Sequence, residues 1–288
     1  MCLMASLQNI KIRQETVKTI RKITKAMQLV AASKIRRANE QYEKVLQYSS
    51  RIEGVFYNLE TKIKDWQQII KIHLSKPRIF VVNTSDTGMC GAYNANIIKL
   101  AKQLIRPEDF VIIVGSRGVK PLSKYFQKSQ ILQVFENVGD APNYEIIDQM
   151  LDQIVPLLFN EAIHSVHLLA TKFINSITFE ATDFKIFPVS RRKLAELSKL
   201  NQVSKNTEFE PNPEMVLKLS LPLYIGAVLF ANLAAAKVAE MASRRMAMEK
   251  SSDNALEIIE NLKKQYNKIR QSSITQEISE IVAGAQNE

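Results

Sequence analysis

"ITKAMQLVAASK", residues 23–34, decides how the rest of this chain is read. It holds no carboxylate, histidine or glycine, so by itself it supports neither acid–base nor metal chemistry. What it offers is small and apolar surface between lysines. Outward from it the helical signal continues, with no proline and no glycine before Gly54, so residues 6–57 are predicted as one long helix with Ser6 as a candidate N-cap. Val17, Ile20, Thr24, Met27, Ala31, Ala38, Tyr42 and Val45 follow a 3,4 spacing that skips Lys34, a heptad-like seam. Ala26, Ala31, Ala32 and Ser33 let a second helix come close.

The far end of the chain supplies that helix. Asn212 and Pro213 make a helix start, and the pattern runs on to about residue 285, with Pro222 expected to kink it or delay its start. At 1.5 Å per residue such a helix is roughly 105 Å long, more than one globular domain spans. Ala255, Ile259, Leu262, Tyr266 and Ile269 form a clean 3,4 seam, which then shifts to Ile274, Ile278, Ile281 and Ala285. Neither helix is apolar all round, so each needs a partner, and each other is the nearest one. Since one leads into the middle of the chain and the other leads out, they run antiparallel.

After Pro77 the pattern changes. "RIFVVNTSD", "DFVIIVGSRG" and "ILQVFENV" read as strands that alternate with the helical stretches "GAYNANIIKLAKQLI" and "KPLSKYFQ", the latter with Pro121 near its start. "NYEIIDQMLDQIVPLLFNEA" is helical despite Pro156, and "SVHLLATKFI" with "ITFEATDFKIFPV" reads as two strands, antiparallel at one edge. The fold class is therefore α/β plus long α-helices: an antiparallel coiled coil of N- and C-terminal helices with an inserted Rossmann-like, mainly parallel sheet domain. Its parts are an N-terminal helix (6–57), the sheet domain (77–190), a polar connecting arm (191–212) and a C-terminal helix (213–286).

The 288 residues carry a formal net charge of +10, which points to an acidic partner. The excess sits early: residues 6–50 hold ten basic against three acidic side chains, whereas 237–288 hold eight of each. The basic N-terminal helix makes a nucleic-acid-binding coiled coil an alternative, to be shown by salt-dependent DNA binding, but the acid-balanced C-terminal helix does not favour it. The longest apolar run, "LPLYIGAVLFANLAAA", falls short of a membrane span. Cys2 and Cys90 are the only cysteines and have no metal spacing, so Cys90 reads as a small buried hydrophobe. Asp86, Gly88 and Gly91 follow a strand, where a nucleotide phosphate binds in some α/β enzymes. Yet there is no GxGxxG, and "GSRGVK" is not a phosphate loop, so a structural turn is expected and a nucleotide-binding enzyme is the alternative. His164 and His167 lie at a strand start, on opposite faces, with no cluster to make a metal site. No catalytic residue, cofactor or metal is expected.

Taken together, "IRKITKAMQLVAASK" (20–34), "RMAMEKSSDN" (245–254), "YNKIRQSSITQEISEIVAGA" (266–285) and "SDTGMCGAYNAN" (85–96) resemble the gamma subunits of F-type rotary ATP synthases over nearly the whole chain. One departure is Thr87, where an arginine is usual. The resemblance implies a non-catalytic central rotor stalk that transmits torque between a membrane c-ring and a ring of alpha and beta subunits. Its partners would be those subunits, the epsilon subunit and the c-ring. It would touch no nucleic acid, and would meet the membrane only through the c-ring, as a peripheral protein on the cytoplasmic face of the bacterial inner membrane. By the same resemblance, Lys25 and Met27 face the acidic lever of beta. Arg270, Gln271, Thr275 and Glu280 lie near beta's catch loops, and Glu208 and Glu210 meet the c-ring.

Overall fold

The computed structural model describes residues 2–62, 75–139, 143–173, 179–189 and 210–285. The chain forms two compact units, one made of Met1–Ala31 with Arg244–Glu288 and the other of Ala32–Ser243. Two long helices contribute to both: α1 (Cys2–Lys62) and α5 (Pro213–Ala285). Ser6 lies inside α1 and is not its cap, because the backbone is already helical from Cys2. Asn212 does cap α5: its side-chain oxygen accepts from the Met215 N–H at 2.8 Å. Pro222 does not delay the start, since α5 is helical from Pro213 onward. Of the arm 191–212, residues up to 209 lie outside the described residues.

In the larger unit a five-stranded sheet has the order β3-β2-β1-β4-β5. β1 (Arg78–Asn83), β2 (Phe110–Val114), β3 (Ile131–Phe135) and β4 (Ser165–Phe173) are parallel. β5 (Phe179–Phe187) returns antiparallel on β4, with Leu169 opposite Asp183. Parallel strands need crossovers, and these are α2 (Tyr93–Leu104), α3 (Ser116–Ser123) and α4 (Tyr144–Phe159). α3 starts five residues before Pro121 rather than at it. Gly115, at φ +91°, turns the chain straight from β2 into the helix, and a Cβ there would sit 2.1 Å from the Thr84 carbonyl oxygen.

Alternation along the strands divides the interior. Phe80, Val82, Val111 and Ile113 face one side, with Ile97, Ala101 and Leu122 from α2 and α3. Ile79, Val81, Ile112 and Val114 face the other, with α4 and both long helices. There Phe56 of α1 stacks on Tyr224 of α5, ring centroids 4.4 Å apart. Lower-numbered Ala38 and Val45 of α1 share a wall with higher-numbered Phe230 and Ala234 of α5, so the helices run antiparallel as expected. Gly226 lets α4 approach: a Cβ there would stand 2.9 Å from a Leu151 methyl and 3.1 Å from the Tyr144 hydroxyl. Burial, then the Tyr48 hydroxyl and the Asp148 charge, push the Tyr144 phenol up to about 12. This packing explains the apolar stretch of α5. One window of that helix is long and apolar enough to cross a membrane by composition, contrary to the sequence reading, but 61% of it is buried inside the fold.

One ion pair closes the amino end of the sheet. Arg78 reaches Asp109 at 2.7 Å, and Asp109 also accepts from the backbone N–H groups of Arg78 and Arg106. Burial alone would raise the Asp109 carboxyl, but these donors outweigh it and hold its pKa below the usual range.

Candidate functional site

The first place to look for chemistry is the set of loops after β1, β2 and β3, where α/β folds bind ligands. Here Asp86 is fully engaged. One carboxylate oxygen accepts from the Ser116 N–H at 3.1 Å and the Asn137 N–H at 2.9 Å, and the other from the Gly139 N–H at 3.1 Å. The carboxylate ties three loops together, which is the structural turn expected. The neighbouring cleft, between Asn83, Val114, Ile147 and Leu233, has about 30 Å³ of accessible volume. That is space for a water or two and not for a nucleotide. Cys90 is buried, and the Asn94 side-chain amide donates to its sulfur at 3.3 Å. Beside Thr87, the Arg117 guanidinium of α3 lies 3.2 Å from where a Cβ of Gly88 would stand.

The two histidines have separate structural partners. His164 Nδ1 meets the Lys76 carbonyl, while His167 Nδ1 meets Asp183 at 2.8 Å and its Nε2 meets Ser165 at 3.1 Å. Ser, His and Asp in such a chain resemble a hydrolase triad. Ser165 is wholly buried, however, so no substrate reaches its hydroxyl. Among the described residues no group of three or more His, Cys, Asp or Glu is placed to hold a metal ion.

The smaller unit presents something different. On α1 it buries Thr24 and Ala31, seven apart, and on α5 it buries Arg244, Met248, Ser252, Ala255 and Leu262, at steps of four, four, three and seven. Every other side chain described in this unit is at least partly open. On α1, Ile20 and Ile23 are about half exposed, as are Leu29 and Val30. On α5, Ile274, Ile278 and Val282 are similarly exposed. Two sequence expectations therefore change. Ile20 lies outside the seam, and of the shifted seam Ile274 and Ile278 stand about half exposed, while the side chains of Ile281 and Ala285 lie outside the described residues. The reason is length: the unit's N-terminal segment ends at Ala31 while its C-terminal segment runs from Arg244 to Glu288, so the shorter helix cannot flank all of the longer one.

The resemblance-derived residues fall on this surface in part. Lys25 is exposed and Met27 half-buried on α1; Arg270, Gln271 and Thr275 are exposed on α5, where the Thr275 hydroxyl donates to the Gln271 carbonyl at 2.9 Å. Glu280 lies on the last turns of the same helix. Glu210 is exposed just before α5 begins, and Glu208 lies outside the described residues. Sequence reading gave no role to the open apolar side chains Ile12, Ile23, Leu29 and Val30. The signal for them was available: they stand off the seven-residue step from Thr24 to Ala31, which marks the buried edge.

Residues 6–287 match the family model described as ATP synthase. Among curated relatives, the ATP synthase gamma chain of Mycoplasmopsis synoviae is 37% identical, covering 98% of this chain and 99% of the relative. That of Halothermothrix orenii is 34% identical, with 98% and 99% covered. Among solved structures, the central stalk and c-ring structure of the Tetrahymena thermophila mitochondrial ATP synthase contains a chain that matches with a TM-score of 0.62 at 26% identity, over 80% of this chain and 99% of that one. A chain of the Euglena gracilis mitochondrial enzyme matches with a TM-score of 0.70 at 16% identity, over 98% and 94%, a likeness of fold.

Proposed function

This chain belongs to the gamma-chain family of ATP synthases, and on that premise we infer that it is the central stalk of an F-type ATP synthase rotor. The observation that supports this best is the thin seam of the helix-pair unit, which leaves isoleucines, leucines and valines facing outward on both helices. A stalk turning inside a sleeve must not lock at one angle. Dispersion and apolar burial are non-directional and give little preference among angles, whereas hydrogen bonds are directional and would hold one. Such a surface suits a bearing, with a few polar side chains reserved for torque.

The sleeve is the ring of alpha and beta subunits. Lys25 and Met27 face the acidic lever of beta, and Arg270, Gln271, Thr275 and Glu280 meet its catch loops. Glu208 and Glu210, with the sheet domain, engage the c-ring together with the epsilon subunit. The chain catalyses nothing itself. Ion flow through the c-ring turns it, and its rotation opens and closes the sites on beta in sequence. It meets the membrane only through the c-ring, at the cytoplasmic face of the bacterial inner membrane.

Reconstitution with purified alpha and beta subunits tests this. The expected result is a stable complex with multi-turnover ATPase activity well above that of alpha and beta alone. A chain that stays a free monomer in the mixture, or a ring whose rate it leaves unchanged, would reject the stalk reading.

A further inference from the structure

Within the larger unit the two long helices do not close on each other everywhere. Ala38 is buried on α1 and Val45 is half-buried two turns on, so the seam calls for an apolar side chain between them. Tyr42 takes that position and is half-buried, while Gln41 beside it is exposed and lines the gap. On the opposite helix stands Ala234, buried and too small to fill the gap beside Phe230. The result is a notch of about 200 Å³, the share of about seven liquid waters. Its floor is apolar, and its rim carries two ammonium groups, Lys44 and Lys237. Lys237 also pairs with Glu240 at 3.1 Å, which leaves Lys44 as the main cation for an incoming anion.

We propose that this notch between α1 and α5 is a binding site for a small amphipathic anion, an alkyl or aryl carboxylate of about ten non-hydrogen atoms. The tail fills the space that Ala38 and Ala234 leave open, where it gains the contacts a void forfeits. The carboxylate sits at the solvent edge beside Lys44, where it stays hydrated and charged. A neutral tail would lose the cation, and a short anion would leave the floor empty. The site is independent of the stalk role, since it uses none of the residues assigned to the ring or the c-ring.

Calorimetric titration of the full chain with sodium octanoate, octanol and acetate tests it. Octanoate is expected to bind saturably at one site with a Kd of about 1 mM, the scale for a ligand of this size. Octanol should bind at least about fivefold more weakly, and acetate not measurably. Lys44→Glu, at an exposed position, should weaken octanoate about tenfold with an unchanged circular dichroism spectrum. Ala234→Leu should abolish binding by filling the notch. Absence of saturable octanoate binding to the wild-type chain, or equal affinity in wild type and Lys44→Glu, would overturn the proposal.

Discussion

In β1 five of six consecutive residues are buried and in β2 four of five, whereas over residues 24–38 of α1 burial recurs once in seven, at Thr24, Ala31 and Ala38. The inner strands β1, β2 and β4 are covered on both faces, so nearly every described residue in them is interior. A helix in a pair touches its partner through one stripe and keeps the rest of its circumference open. Apolar residues therefore mean different things in the two regions. In the sheet they are core. On the paired helices those off the stripe are surface that something else must cover.

The contrast is easiest to break in the sheet. Ile112→Ala removes a wholly buried side chain, and should cost about 3–4 kcal/mol, read as a lower urea midpoint at constant slope. A loss under about 1 kcal/mol would mean that the interior collapses around the gap and is not rigidly closed. Next comes the ion pair below it. Asp109→Ala strands Arg78 and should cost about 3 kcal/mol. Because the folded pKa of Asp109 is lowered, its contribution is complete above the unfolded value near 4. That contribution is lost as pH falls through the folded value. Asp109→Asn should accordingly show a shallower loss of stability below about pH 4 than wild type, and identical acid profiles would remove Asp109 from the account.

In the helix pair the expected effects are smaller. Ala31→Leu overfills the stripe and should destabilise by about 1–3 kcal/mol, whereas no change in thermal midpoint would place Ala31 away from any close contact. Ile278→Ser should leave the stability of the free chain within about 0.5 kcal/mol; a larger loss would show that Ile278 packs within the chain after all. Smallest of all for folding is Arg270→Ala with Gln271→Ala, also within about 0.5 kcal/mol. Its effect should appear only in the reconstituted complex, as a lower coupled ATPase rate, and an unchanged rate there would refute the proposed torque-bearing role of both residues.

Much of this architecture was legible in the residues. Strand-forming runs alternating with helical ones gave the parallel sheet, and the closely spaced last two strands gave its antiparallel edge. Asn212 before Pro213 announced a helix start that the Asn212–Met215 hydrogen bond makes. Errors gathered where local signals compete. Ser6 is a good cap by type, but helical propagation past it to Cys2 wins. Pro121 suits a first turn, yet Gly115 starts α3 earlier because the chain must turn immediately on leaving β2. The residues proposed to face partners came from resemblance alone, since exposed Arg, Gln and Thr on a helix carry no periodic signal.

By itself the sequence determined the order of elements, the face of each that is apolar, and the need of each long helix for a partner. These follow from periodicity and backbone preference, which act over a few residues. Only the tertiary structure decided which apolar residues are sealed and which remain open, because burial depends on how far the opposing helix extends. It also decided that Arg117 stands beside Gly88, that Arg78 holds Asp109, and that a notch opens between Ala38 and Ala234. Each depends on side-chain volumes and charges from segments far apart in the chain, which no local pattern records.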